Sequence, residues 1–311
     1  MRRKLSIFLL ISVTVFYSCK AQAEQKKQPN IIFFLVDDLG WTDLGCYGSS
    51  FYETPNIDKL AKNGVKFTNA YAACHVCSPT RASILTGKYP ATINLTDWLP
   101  GRNEFPFQKF SNPKINQHLP YEEITIAEAL NVKGYKTAFI GKWHLGEGKP
   151  TMADYGIDDS AVYHGPGPKV GPYGNDIPNQ AVKFIEANKD RPFYVNVWLH
   201  ESHLAHSPST EAMARWKHLD PRQQVYAAVI TDGDNKVGLI LDALERCGIA
   251  QNTLVVFSSD NGPAKSRAND IGVTGKYRSH YNVGETGGLR GQKTSLFEGG
   301  VRVPFIVRWP G

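Results

Sequence analysis

Asn30-Ile31-Ile32-Phe33-Phe34-Leu35-Val36, closed by Asp37-Asp38, carries apolar side chains on both faces of a strand. A strand with no polar face belongs inside a sheet covered by helices on both sides, as parallel strands do. In open α/β sheets ligands lie beyond the carboxyl ends of the strands, and the two aspartates sit at that end. Asp-Asp is also a common turn opening, so the pair needs company before it reads as a metal site.

The chain around this strand alternates between helix and strand. Thr54 to Gly64 has a cap, a first-turn proline at Pro55 and a terminal glycine, which predicts a helix. Val65 to Tyr71 reads as a strand, Ile124 to Lys133 as an amphipathic helix stopped by Gly134, and Tyr135 to Ile140 as the next strand. Phe193 to Leu199 and Thr253 to Phe257 are further strands, with a long helix over Tyr226 to Cys247 between them. Phe305 to Trp309 reads as a core strand, and Gly165 to Gly174 as a loop. The pattern predicts an α/β fold: a mostly parallel central sheet sandwiched by helices.

With 311 residues, 41% hydrophobic and 21% charged, the chain can bury one large core. A net charge of +6 without a basic tract interleaved with aromatics argues against nucleic acid as a partner. Arg2-Arg3-Lys4 and the apolar run Leu5 to Phe16 read as a signal peptide over residues 1–18, too short to span a membrane. Ser18-Cys19 resembles a bacterial lipoprotein box, with Cys19 as the lipidated first residue; cleavage after Ala21 or Ala23 is the competing reading. Residues 19–28 would then be a tether and 29–311 the catalytic domain. The expected location is the periplasm or outer membrane of a bacterium, with membrane contact only through that anchor. Of five cysteines, Cys46, Cys74 and Cys247 remain once Cys19 and Cys77 are set apart, and an odd remainder gives no disulfide framework.

Cys77-Ser78-Pro79-Thr80-Arg81 is followed by Ala82 to Leu85 and Thr86-Gly87-Lys88. Pro79 suits a first helical turn and Gly87 a helix end. Cys77 therefore starts a helix, where unpaired N–H groups and the helix dipole favour an anion. Arg81 adds a permanent charge one turn on. Cys74 and Cys77 also form a Cys-x-x-Cys, which could be a redox pair or half a zinc site.

Cys-x-Pro-x-Arg followed by Thr-Gly resembles the signature of the formylglycine-dependent sulfatases, and the resemblance runs from Pro29 to the end of the chain. It implies the alkaline-phosphatase-like sulfatase fold and oxidation of Cys77 by a maturation enzyme to an aldehyde, which hydrates. Gly141-Lys142-Trp143-His144-Leu145-Gly146 resembles a second motif of that family. There Lys142 would bind sulfate and His144 the hydrated aldehyde, both pointing one way if strand geometry persists. Lys88 would support the aldehyde. In His200-Glu201-Ser202-His203-Leu204-Ala205-His206-Ser207-Pro208 the resemblance selects His206 as general acid, with His203 secondary; Ala205 stands where proline is usual. Three such histidines could also hold zinc.

Asp37, Asp38, Asp260 and Asn261 together would make an all-oxygen site, which suits calcium or magnesium better than zinc. The resemblance implies calcium, with Cys77 beside it. Lys293 takes the place of a second sulfate-binding lysine. Asp97, Trp98, Arg102 and His118, in the long Thr96 to Tyr121 connection, are candidate sugar contacts, and its Thr96 to Arg102 part points to galactose-type sugars. The expected activity is hydrolysis of sulfate esters on carbohydrates, by an enzyme of the arylsulfatase or N-acetylgalactosamine-sulfatase kind. A phosphomonoester or phosphonate hydrolase, and a non-catalytic glycan-binding lipoprotein with unmodified Cys77, are the other readings. The smaller C-terminal subdomain usual in the family is expected to be missing.

Overall fold

The computed structural model describes residues 28–148, 150–163, 176–204, 206–264 and 284–311, and only the backbone of 221 and 222. The proposed signal peptide, Cys19, nearly all of the tether, the Gly165 to Gly174 loop and Ala205 lie outside the described residues.

Among these residues seven strands form one sheet: β1 (Asn30–Val36), β2 (Val65–Phe67), β3 (Lys136–Lys142), β4 (Asp159–Tyr163), β5 (Phe193–Leu199), β6 (Thr253–Ser259) and β7 (Phe305–Arg308). Their order is β2-β7-β6-β1-β5-β3-β4. The five strands from β6 to β4 are parallel, and β7 and β2 complete the other edge antiparallel. Among the described residues eight helices surround the sheet: α1 (Pro55–Lys62), α2 (Cys77–Thr86), α3 (Pro90–Ile93), α4 (Ile126–Asn131), α5 (Ile177–Asn188), α6 (Thr210–Arg215), α7 (Pro221–Arg246) and α8 (Glu298–Val301).

β1 explains the two-layer burial. Its residues Ile32, Phe34 and Val36 pack with α1, α5, α6 and α7, while Leu35, with Ile31 and Phe33, packs on the side of α2 and α4. Each fully buried large apolar side chain is worth about 1.5–3 kcal/mol, so both faces must be covered. The run therefore sits in mid-sheet, paired with β5 and β6 along its length.

Some boundaries differ from the sequence reading. Only Val65–Phe67 pairs as a strand at the sheet edge, with all three residues exposed, and Tyr71 keeps a single bridge to Arg302. α7 starts five residues before Tyr226, at Pro221, because Asp220-Pro221 supplies an acceptor and a helical φ. α4 is short but strongly started: Thr125 and Glu128 bond reciprocally through side chain and backbone. β4 and α5 carry no motif that singled them out in the sequence.

Gly141 is required where β3 meets β5. Its φ is 117°, and a Cβ there would lie 2.0 Å from the carbonyl oxygen of Trp198. Gly141→Ala is expected to cost about 3 kcal/mol or more, read as a lower denaturant midpoint at unchanged slope.

Candidate active site at the carboxyl edge of the sheet

Four neighbouring parallel strands deliver their ends to one place. Lys142 closes β3, His200 follows β5, Asp37 and Asp38 follow β1, and Asp260 and Asn261 follow β6. Asp38 turns off β1 at φ 60°, a conformation that aspartate tolerates better than most residues. All six side chains are buried.

Cys77 is the first residue of α2, after Val76 in an extended conformation, and Gly87 ends the helix at φ 69°. The Cys77 thiol donates to Asp37 Oδ1 at 3.5 Å, and Lys142 Nζ stands 3.9 Å from the sulfur. Burial pushes the thiol up to about 12, against the pull of Lys142 and Lys293. At neutral pH it stays protonated, so as a plain cysteine it is a poor nucleophile.

Arg81 ties the strand ends to α2. Its Nε and Nη2 donate to Asp260 Oδ2 at 3.0 and 2.6 Å, Nη1 donates to the Lys142 carbonyl at 2.8 Å, and Nη2 lies 3.3 Å from Asp37 Oδ1. The guanidinium also covers the Trp198 ring at 5.1 Å. Burial alone would raise Asp37, but Lys142, His203 and Arg81 hold it well below the usual carboxylate range. Burial and the neighbouring Asp37 push Asp260 up to about 6, with Arg81 opposing them. Lys142 bonds Asp37 directly.

Asn261 Nδ2 donates to Asp38 Oδ1 at 2.7 Å, and Asp38 N–H donates to Asp260 Oδ1 at 3.2 Å, so the four predicted oxygen donors form one cluster. Ligand atoms of Asp37, Asp38, Cys77 and His203 also lie within 4.8 Å of one another. The buried Oδ1 of Asn261 has no hydrogen-bond partner among the described residues. An orphaned amide oxygen among carboxylates suits a hard divalent cation. Lys293 Nζ bonds both Asp38 oxygens, at 2.6 and 2.8 Å; burial works to lower its pKa, but Asp38, Cys77, Asp37 and Asp260 together raise it, so it stays charged.

The three histidines do not converge as a zinc site would require. His200 Nδ1 lies 3.1 Å from Asp37 Oδ2, a partnership the sequence reading missed, although its place directly after β5 was the available signal. His203 Nε2 stands 3.8 Å from Asp38 Oδ2 and lines the cavity over Cys77. His206 is buried behind them, its Nε2 3.2 Å from the Ser202 carbonyl and its ring edge-on to Tyr226. The order expected from the sequence, His206 first and His203 second, is thus reversed in position.

Two other expectations change. Strand geometry stops at Lys142, and His144 reaches the site by a turn at φ 54°, not by alternation. Its Nε2–H donates to the Leu99 carbonyl at 3.0 Å; burial, with Lys142 and Arg81, pushes the ring down to about 3. Lys88 lies past the far end of α2, about 15 Å along the helix from Cys77, and pairs with Glu123 at 2.6 Å. It does not support residue 77. Cys74 and Cys77 are both free, and Cys74 Sγ contacts His75 Nδ1 and the Thr96 carbonyl.

A cavity of about 350 Å³ opens above Cys77, walled by Trp98, Leu99, His144, His203 and Lys293. Asp97 and Arg102 stand just outside it as an ion pair at 2.6 Å. His118 is turned away, its Nδ1 on the Leu119 carbonyl and its Cβ under Gly146.

A cysteine at a helix start, facing two lysines and an acidic strand edge, agrees with a family-wide comparison: the sulfatase family model matches residues 29–311. The chain belongs to the sulfatase family. It is 30% identical to arylsulfatase A of Homo sapiens, over 92% of this chain and 60% of that protein. It is 31% identical to N-acetylgalactosamine-6-sulfatase of Rattus norvegicus, over 91% of this chain and 57% of that protein. The crystal structure of Ps i-CgsB in complex with k-i-k-neocarrahexaose superposes with a TM-score of 0.77 at 28% identity, covering 91% of this chain and 66% of that one. This sulfatase-family chain spans about 60% of the length of these curated relatives. Its mostly parallel sheet between helices is the alkaline-phosphatase-like sulfatase fold.

Proposed function

We propose that this chain is the catalytic part of an exported sulfatase that hydrolyses sulfate esters on carbohydrates, with Cys77 oxidised to formylglycine and calcium held by Asp37, Asp38, Asp260 and Asn261. The observation that carries this reading is the buried Cys77 at the start of α2, lining a cavity that Lys293 and His203 also line. The hydrated aldehyde would supply a hydroxyl nucleophile and a second hydroxyl for release, and a cation held by Asp37, Asp38, Asp260 and Asn261 would supply Lewis-acid polarisation of sulfate oxygens.

The other residues have roles that follow from position. Lys142 and Lys293 oppose the charge on the sulfate oxygens as bond order shifts. Arg81 fixes Asp37 and Asp260 relative to α2. His144, neutral and with Nδ1 unpartnered among the described residues, lines the same cavity as residue 77 and offers it a hydrogen-bond acceptor. His203 is the acid for the departing alcohol. Burial, Lys142 and Lys293 hold its pKa well below the ordinary value, and the negative charge of a seated sulfate raises it again.

Sulfate release from 4-nitrophenyl sulfate and from sulfated sugars, by protein co-expressed with a maturation enzyme, tests the proposal; release of phosphate but not sulfate from matched esters would refute it. His203→Ala is expected to slow alkyl sulfate hydrolysis about 10²–10⁴-fold and to affect 4-nitrophenyl sulfate, whose leaving group needs no acid, far less. His206→Ala should leave that dependence on leaving group intact. Calcium at a hundred times its Kd is expected to stabilise the fold by about 2.7 kcal/mol, seen as a higher unfolding temperature, and Asn261→Ala should diminish the gain.

A further inference from the structure

The concave surface does not end at the cavity over Cys77. Past Pro100, which lines both, lies a second hollow of about 480 Å³ walled by Asp97, Arg102, Glu104, Asn112, Lys114 and Gln117. These residues belong to the long connection after α3, which has no helix or strand of its own among the described residues.

The hollow is nonetheless a built structure. Arg102 Nε donates to Asp97 Oδ2 at 2.6 Å, and its guanidinium lies 5.2 Å from the Trp98 ring, which faces the first cavity. On the far side Asn112 N–H donates to Glu104 Oε1 at 3.0 Å, and Asn112 Nδ2 donates to the carbonyls of Arg102 and Asn103 at 3.1 and 3.3 Å. Trp98, Pro100 and Arg102 thus stand between two neighbouring compartments that share Pro100 as a wall. A ligand seated over Cys77 that extends past Pro100 would enter the second.

The chemistry of the second hollow differs from that of the first. Lysines dominate around Cys77, whereas here Asp97 and Glu104 balance Arg102 and Lys114. A balanced wall gives no net attraction to a second anion. It does offer donors and acceptors at several heights, from the ion pair and the Gln117 amide, beside the apolar faces of Pro113 and Ile115. A pyranose presents the same mixture, hydroxyls on its rim and C–H groups on its faces, and polar groups placed in a concave wall fix such a ligand's orientation.

We propose that this hollow is a second sugar subsite that takes a neutral, unsulfated hexose linked to the sulfated unit over Cys77. It rests on the sulfatase reading above and names its substrate: a sulfated oligosaccharide of at least two units, in preference to a sulfated monosaccharide.

The test measures sulfate release from three kinds of substrate. These are 4-nitrophenyl sulfate, sulfated galactose and N-acetylgalactosamine, and disaccharides joining each sulfated unit to a neutral hexose in either linkage order. For at least one order, kcat/KM on the disaccharide should exceed that on its monosaccharide about tenfold or more, the worth of one or two net hydrogen bonds. In the Lys114→Ala, Gln117→Ala double variant that advantage should fall to about twofold or less, with 4-nitrophenyl sulfate turnover unchanged. Equal kcat/KM on monosaccharide and disaccharide, an advantage that survives the double variant, or turnover of the aryl sulfate with no sugar accepted would each overturn the subsite. No release from any substrate, the aryl sulfate included, would refute the sulfatase reading itself, a distinct result.

Discussion

Cys77→Ala is expected to abolish sulfate release from 4-nitrophenyl sulfate, a loss on the order of 10⁴-fold or more. The local structure says why no neighbour takes over. Lys142 is engaged with Asp37, Lys293 with Asp38, and Arg81 with Asp260 and Asp37, so none presents an unshared nucleophilic pair. His144 and His203 line the cavity but have nothing to activate once residue 77 lacks a heteroatom. The thiol itself is not the active form under this proposal, because burial holds it protonated up to about 12 and it offers no second hydroxyl for release. Peptide mass supplies the companion measurement: active protein should be lighter at residue 77 by the difference between –CH₂SH and –CHO. The variant should still fold, since removing one sulfur from the first turn of α2 leaves Arg81 and its bonds in place. Full activity in protein whose residue 77 carries an intact –SH would end the proposal.

The same residues show how far the sequence could be read. Asn30 to Val36 and Phe193 to Leu199 are strands over the residues expected, because runs buried on both faces leave one placement, mid-sheet. Asp37, Asp38, Asp260 and Asn261 come together because each pair follows a parallel strand, and parallel strands in register end side by side. Side-chain direction in the segments after those strands was not legible. His144 arrives through a left-handed turn and His203 through the turn after β5, and neither turn has a period to follow. Lys88 failed for a simpler reason: a helix carries its two ends apart, and closeness in sequence to Cys77 became distance in space. The two compartments of the Thr96 to Tyr121 connection depend on Asp97–Arg102 and Glu104–Asn112 bonds, which no local pattern announces.

Arg81→Met carries the largest expected effect on stability, about 3–5 kcal/mol in metal-free protein. Arg81 has no solvent exposure and lies between Asp37 and Asp260. Methionine fills much of the volume but leaves two buried carboxylates without that cation. A purely steric loss would not depend on pH, whereas this one should. Asp260 already stands at about 6 in the folded protein against an ordinary value of 3.8, and Arg81, ahead of Lys142, opposes a further rise. Without Arg81 the folded-state pKa climbs, so between the unfolded value and the new folded value the native state binds more protons than the unfolded chain. Stability then falls as pH rises through that window and returns as pH is lowered. Urea unfolding in a chelator should therefore show a deficit at pH 8 that shrinks at pH 5, and added calcium should restore part of it at pH 8 by supplying positive charge to the same carboxylates. An equal deficit at both pH values would mean that Arg81 matters for packing alone, and that the acidic strand edge is not held together by its charge.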